Sequence, residues 1–251
     1  MKIKLSLAIC LILFVSITTS VAQDVKLPES LKDNSTILPV KGRMGMQINQ
    51  VITFGDFKTS KIKKGWTKST KVTSSTEVLF ASKTASVSKA SQKFSFTQFG
   101  LGNMEAEVAC LGELSQADIE LIKNIFALGI DFKNCFSGSI EIVTDSTTWE
   151  FIILDPDSKP DTEASSGFIR NGNDELIELF AITELEGKKI PKFLQGAVQG
   201  YEFRLNGKPI GAVSLYNKGN VIFKDNISDT QKPVIASLST ALLVRTDLND
   251  Q

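Results

Sequence analysis

The chain has 251 residues, 28 basic and 28 acidic side chains, and no histidine. The missing imidazole excludes Ser-His-Asp and Cys-His catalysis, histidine-ligated zinc and imidazole proton shuttling. An enzyme of this composition would work with carboxylates, Lys, Tyr, Ser or an oxygen-bound metal, and the near-neutral balance argues against nucleic acid as a partner.

Residues 1–22 read as a cleavable secretory signal peptide. Lys2 and Lys4 form a basic head, an apolar stretch runs from Leu5 to Ile17, and Ser20 and Ala22 are the small residues a signal peptidase takes at −3 and −1. The apolar stretch is shorter than the ~20 residues of a spanning helix. Acylation at Cys10, a poor lipobox position, would leave most of that stretch on the mature chain. Export then places the product in the periplasm, on the envelope or outside the cell, with no transmembrane segment left. Losing Lys2 and Lys4 leaves 26 basic against 28 acidic residues, a net of −2.

Residues 23–40 are polar, carry Pro28 and Pro39, and read as a loosely ordered leader. A single β-rich domain is expected over 41–251, with a subdivision near residue 100 where the charge changes sign. Met44, Met46 and Ile48 alternate with Gly45 and Gln47, and Ile52 and Phe54 continue after a slip at Val51 that suggests a bulge. Val78–Phe80 reads as a short strand, 81–92 as a loop or exposed edge, and Phe94 and Phe96 as the next strand. Met104, Ala106, Val108 and Cys110 alternate with Glu105, Glu107 and Ala109, the pattern of a half-buried strand.

A helix is predicted over 116–128, with Ser115 as N-cap, Asp118 in a capping-box position and Gly129 as its stop. Ile140 and Ile142 lead through Asp145-Ser146 to Trp149, Phe151 and Ile153, a hairpin. Asn171-Gly172-Asn173 marks a second, and Tyr201 to Phe223 reads as a meander turning at Asn206-Gly207 and at Asn217 to Asn220. The last element is a helix, capped by Ser228 or Asp229 with Pro233 in its first turn. From Val234 to Val244 its only polar residues are Ser237, Ser239 and Thr240, so it must be buried on most sides. At about 16 Å it is far too short to span a bilayer. The fold class is α+β and β-rich: an antiparallel sheet or barrel curled around a buried C-terminal helix, with one internal helix near 116–128.

Four sets of residues could carry chemistry. Cys110 and Cys135 read as a disulfide in an oxidising compartment, worth about 3 kcal/mol for a loop of this length. Lys58, Lys61, Lys63, Lys64 and Lys68 flank Trp66, and basic groups around an aromatic suit a membrane interface or a glycan. This set lies in a segment, Lys41 to Lys93, holding 11 basic residues against Asp56 and Glu77; Phe94 onward holds 13 basic and 23 acidic. The plain reading is a basic face meeting acidic neighbours within one fold; the sharper one is a face for an anionic lipid headgroup, lipopolysaccharide or an acidic glycan. Asp155, Asp157, Asp161 and Glu163 supply oxygens for calcium, although Lys159 sits in their midst. Glu105, Glu107, Glu141 and Glu150 are the carboxylates from which a glycosidase-type pair would be drawn. No cofactor is implied.

The meander Tyr201-Glu-Phe-Arg-Leu-Asn-Gly-Lys-Pro-Ile-Gly-Ala-Val, together with the helix Val234 to Val244, resembles the tubby-like family, which includes the scramblase and LURP-one-related proteins. The resemblance implies antiparallel strands closed around a C-terminal helix and action on phospholipid or at membranes. It covers under a quarter of the chain, which departs from the family in its signal peptide, cysteine pair and internal helix. Gln23 after the cleavage site, the lysine-rich composition and Gly65-Trp66 also resemble exported proteins of uncharacterised families in the Bacteroidota. The function expected is a non-catalytic exported module that binds an anionic or amphipathic ligand. The alternatives are a carboxylate-dependent hydrolase and a structural envelope protein.

Overall fold

A computed structural model of the chain describes residues 25–44, 49–64, 92–112, 134–155, 162–173, 175–187 and 196–249. A single turn of helix, α1 (Glu29–Lys32), precedes strand β1 (Ser35–Pro39). Three short strands follow, β2 (Thr53–Phe54), β3 (Phe57–Thr59) and β4 (Lys63–Lys64). The long strands are β5 (Gln92–Phe99), β6 (Glu105–Gly112), β7 (Asn134–Ile142) and β8 (Thr147–Asp155). Then come β9 (Ser165–Asn171), β10 (Leu176–Ile182), β11 (Gly200–Leu205), β12 (Lys208–Ser214) and β13 (Asn220–Lys224). Helix α2 (Gln231–Asn249) ends the fold.

Tight turns give the strands their order. Asn206 and Gly207 both take positive φ, 51° and 73°, as a two-residue hairpin turn demands. Asp145 Oδ1 accepts the N–H of Thr147 at 2.9 Å, and Asn171 Oδ1 accepts that of Asn173 at 2.9 Å, so side chains complete the turns after β7 and β9. From β5 to β13 each strand therefore pairs antiparallel with the next in sequence. The full order is β1-β13-β12-β11-β10-β9-β8-β7-β6-β5-β3-β2, with β4 also on β5. Its two ends meet. Lys41, just past β1, exchanges both backbone hydrogen bonds with Thr53 of β2, at 2.8 and 3.0 Å. The sheet is nearly closed and barrel-like, and one sheet runs through the change of charge sign near residue 100.

Eight strands enclose only their own side chains, and larger barrels leave a lumen. Here α2 fills it. The helix is 19 residues long, about 28 Å. Ser228 Oγ accepts the N–H of Gln231 at 3.2 Å and Gln231 Oε1 accepts that of Ser228 at 3.4 Å, a reciprocal capping box. Every residue from Pro233 to Arg245 is buried. The helix packs on β5, β6 and β7 and also on β12 and β13, strands far apart in the sheet order, so the inner wall surrounds it. Phe94, Phe136, Phe151, Phe203 and Val221 share one core with Val234, Leu238 and Leu242. Gly219 has φ +88°, and a Cβ there would stand 2.5 Å from the Leu243 side chain.

The outer wall corrects two expectations. The polar leader is part of the fold. Val25 and Leu31 pack against Ile182, Leu185, Ala212 and Ile222 on the outside of the barrel. Lys224 Nζ donates to the carbonyls of Ser30 and, at 2.7 Å, Asp33. Leu31 is a single apolar residue among polar ones, too weak a periodicity to reveal the docking. The expected disulfide does not form. Cys110 points into the core and sits opposite Gly138 on β7. Cys135 precedes the inward-facing Phe136, so strand alternation turns it to the other face. Burial pushes the Cys110 thiol well above its usual pKa and keeps it protonated. The helix expected over 116–128 and the strand at 78–80 lie outside the described residues.

One polar contact ties helix to wall. Thr240 Oγ1 donates to Gln98 Oε1 at 2.8 Å, with both residues fully buried. Thr240→Val keeps the volume but strands the Gln98 carbonyl oxygen, so it should cost about 1–3 kcal/mol in urea unfolding.

Candidate functional site

The segment Phe57-Lys-Thr-Ser-Lys-Ile-Lys-Lys64 makes the edge of the wall beside β5. Plain alternation would place Lys58 on one face and Lys61 and Lys63 on the other. The strand avoids this by a break between β3 and β4. Thr59 and Ile62 are both buried, and the two residues between them absorb the phase. The N–H of Ser60 donates to Thr97 O at 2.8 Å, and Ser60 Oγ accepts the N–H of Thr97 at 2.9 Å, a hydroxyl standing in for a ladder carbonyl. Lys58, Lys61 and Lys63 therefore all reach the outside.

Lys58 lies opposite Phe99 and Lys63 opposite Ser95; Lys64 lies opposite the inward Phe94 and so takes the other strand phase, and these three lysines and Lys61 are all exposed. Lys41 joins them through the closing bridge, since Thr53 pairs with Lys41 on one side and Lys58 on the other. Trp66 and Lys68 lie outside the described residues.

These five lysines have no ion pair among the described residues. Some other basic groups do, although exposed Lys208 and Lys218 do not. Lys26 meets Glu184 at 2.6 Å, Lys32 meets Glu29 at 2.7 Å and Lys232 meets Asp229 at 3.1 Å. Arg204 holds the buried carboxylate of Glu202 at 2.7 Å and lies 3.9 Å over the Phe180 ring. Arg43 donates to the carbonyls of Leu215 and Asn217 at 2.9 and 3.0 Å. Beside Lys58 and Lys63, three neutral residues of β5 share one strand phase: the buried Ser95, Thr97 and the 40% exposed Phe99. Leu101, 72% exposed, tops the following turn.

The next stripe is acidic. Glu105 lies opposite Phe99, and Glu107 stands opposite both Thr97 and Glu141. Two strand spacings, about 10 Å, separate the basic and acidic stripes. The register thus selects one carboxylate pair from the sequence candidates, Glu107 and Glu141, half-buried and facing out from the convex wall. Glu107 is held above the ordinary carboxylate range by burial first, then by Glu141 and Glu105. Of the calcium set, Asp155 ends β8 and Glu163 is exposed before β9, while Asp157 and Asp161 lie outside the described residues. Among the described residues no three metal-ligating side chains gather, and no helix is long and apolar enough to cross a membrane.

Lys41, Phe99 and Leu101 escaped the sequence reading. Lys41 becomes a neighbour of Lys58 only when the barrel closes, and the exposure of Phe99 depends on its strand phase. No family model, curated protein or solved structure matches the chain.

Like charges directly opposite on a sheet repel. Because Glu107 binds its proton more tightly folded than unfolded, stability falls as pH rises from the ordinary carboxylate value through the raised one. Glu107→Gln should therefore gain about 0.2–1 kcal/mol at pH 7. Thermal melts should show that gain vanishing near about pH 4, where Glu107 is protonated.

Proposed function

We propose that the protein is an exported, non-catalytic module that takes an anionic or amphipathic ligand on the ribbon of Lys41, Lys58, Lys61, Lys63 and Lys64. The observation that carries this reading is that five exposed lysines without an acid partner among the described residues gather on one edge of the wall, whereas Lys26, Lys32, Arg204 and Lys232 are ion-paired. Exposed Phe99 and Leu101 at one end of the ribbon add an apolar element suited to an amphipathic ligand. The basic head, apolar core and Ser20/Ala22 site support export. A barrel-like sheet with a C-terminal helix inside supports kinship with the tubby-like family.

Each lysine near an anionic surface contributes about 1 kcal/mol. Reversing Lys58, Lys61, Lys63 and Lys64 to Glu should lower binding to anionic liposomes or acidic polysaccharide more than a hundredfold. Co-sedimentation with liposomes and titration with polysaccharide check this, and unchanged binding to both would reject the reading.

A further inference from the structure

The anionic-ligand reading leaves open what shape of anion the ribbon fits. We infer that it is a track for a linear acidic polymer, an acidic polysaccharide, lying along residues 58–64. This rests on the reading above and adds the substrate class.

The layout of the amines is the first reason. At ~3.3 Å per residue, Lys61 and Lys63 are about 7 Å apart along the strand, and Lys58 to Lys64, which face Phe99 and Phe94 of β5, span about 17 Å. A compact anion is held by donors that converge, some of them buried. Here every amine is exposed, and the side chains between them, Thr59 and Ile62, turn inward. The charges form a row.

The acidic stripe is the second reason. Glu105 and Glu107 run along the same wall two strands away, with Glu141 one strand beyond them. A bilayer surface wide enough to cover the lysines would press these carboxylates against anionic headgroups. A single polymer chain on the ribbon stays about 10 Å from them, beyond the Debye length of about 8 Å at physiological salt. Neutral Ser95, Thr97 and Phe99 of β5 are the spacer.

The third reason is what lies between the amines. Membrane attachment gains strength from apolar groups that enter the acyl boundary, and single-stranded nucleic acid binds through aromatic platforms. Ile62 is fully buried, and no exposed aromatic lies between Lys58 and Lys64. Phe99 and Leu101 stand at one end of the row only.

The test titrates the full mature chain with polygalacturonate, a graded series of its oligomers, monomeric galacturonate and phosphatidylglycerol vesicles. Affinity should rise with oligomer length until the oligomer covers the row, then level off. Lys61→Gln and Lys63→Gln should each weaken polymer binding severalfold and lower the slope of log affinity against log salt by about one. Lys26→Gln and Lys232→Gln, whose lysines pair with Glu184 and Asp229, should leave binding unchanged, and equal melting temperatures confirm that all four variants fold. Monomer binding as tightly as polymer, or ribbon variants indistinguishable from the parent, would overturn the inference. Vesicles bound through these lysines with polymer ignored would overturn it too, yet leave the anionic-ligand reading standing. Binding to no anion at all would remove both.

Discussion

Everything in this fold answers to a helix that has no side fit for water. From Pro233 to Arg245, α2 buries its whole circumference. A flat sheet covers one face of a helix, so an apolar cylinder requires a wall that bends around it. The antiparallel run from β5 to β13 supplies most of that wall, and β1 and β2 complete it. The helix in turn keeps the lumen filled at close to crystal density, without which inward Phe94, Phe136, Phe151 and Phe203 would face a void.

Elements built on local signals were legible in the sequence. Asn206-Gly207, Asp145-Ser146 and Asn171-Gly172 each mark a turn by their own chemistry, and the alternation of Ala106, Val108 and Cys110 with Glu105 and Glu107 reports a face. What escaped depends on partners distant in the chain. Nothing near Ser35–Pro39 says that this stretch pairs with Asn220–Lys224. The disulfide failed for a related reason. Cysteine count and compartment speak of chemistry, whereas bond formation needs both thiols on one face, and face is a matter of strand phase.

The candidate site was legible in kind and not in arrangement. Lysine density between 57 and 71 was plain, but which amines share a surface hinges on the break at Ser60–Lys61 and on Lys41 arriving across the seam. The same register answers the charge asymmetry of the chain. Basic and acidic segments do become neighbours, as the plain reading had it, but β5 holds them apart as parallel stripes rather than as ion pairs. At about 10 Å in water such charges shape a field more than they bind each other.

The pairing of β1 with β13 sets a timetable. Ser35 pairs with Lys224 and Pro39 with Asn220, so the first strand leaves the ribosome long before its neighbour. Loop closure over such a separation is slow, and the cylinder stays open until the meander and α2 exist. Throughout synthesis β1 is a lone edge whose only apolar side chains are Ile37 and Leu38, and Pro39 cannot donate to a foreign strand. A short opening strand closed by proline suits a chain that must wait for a distant partner.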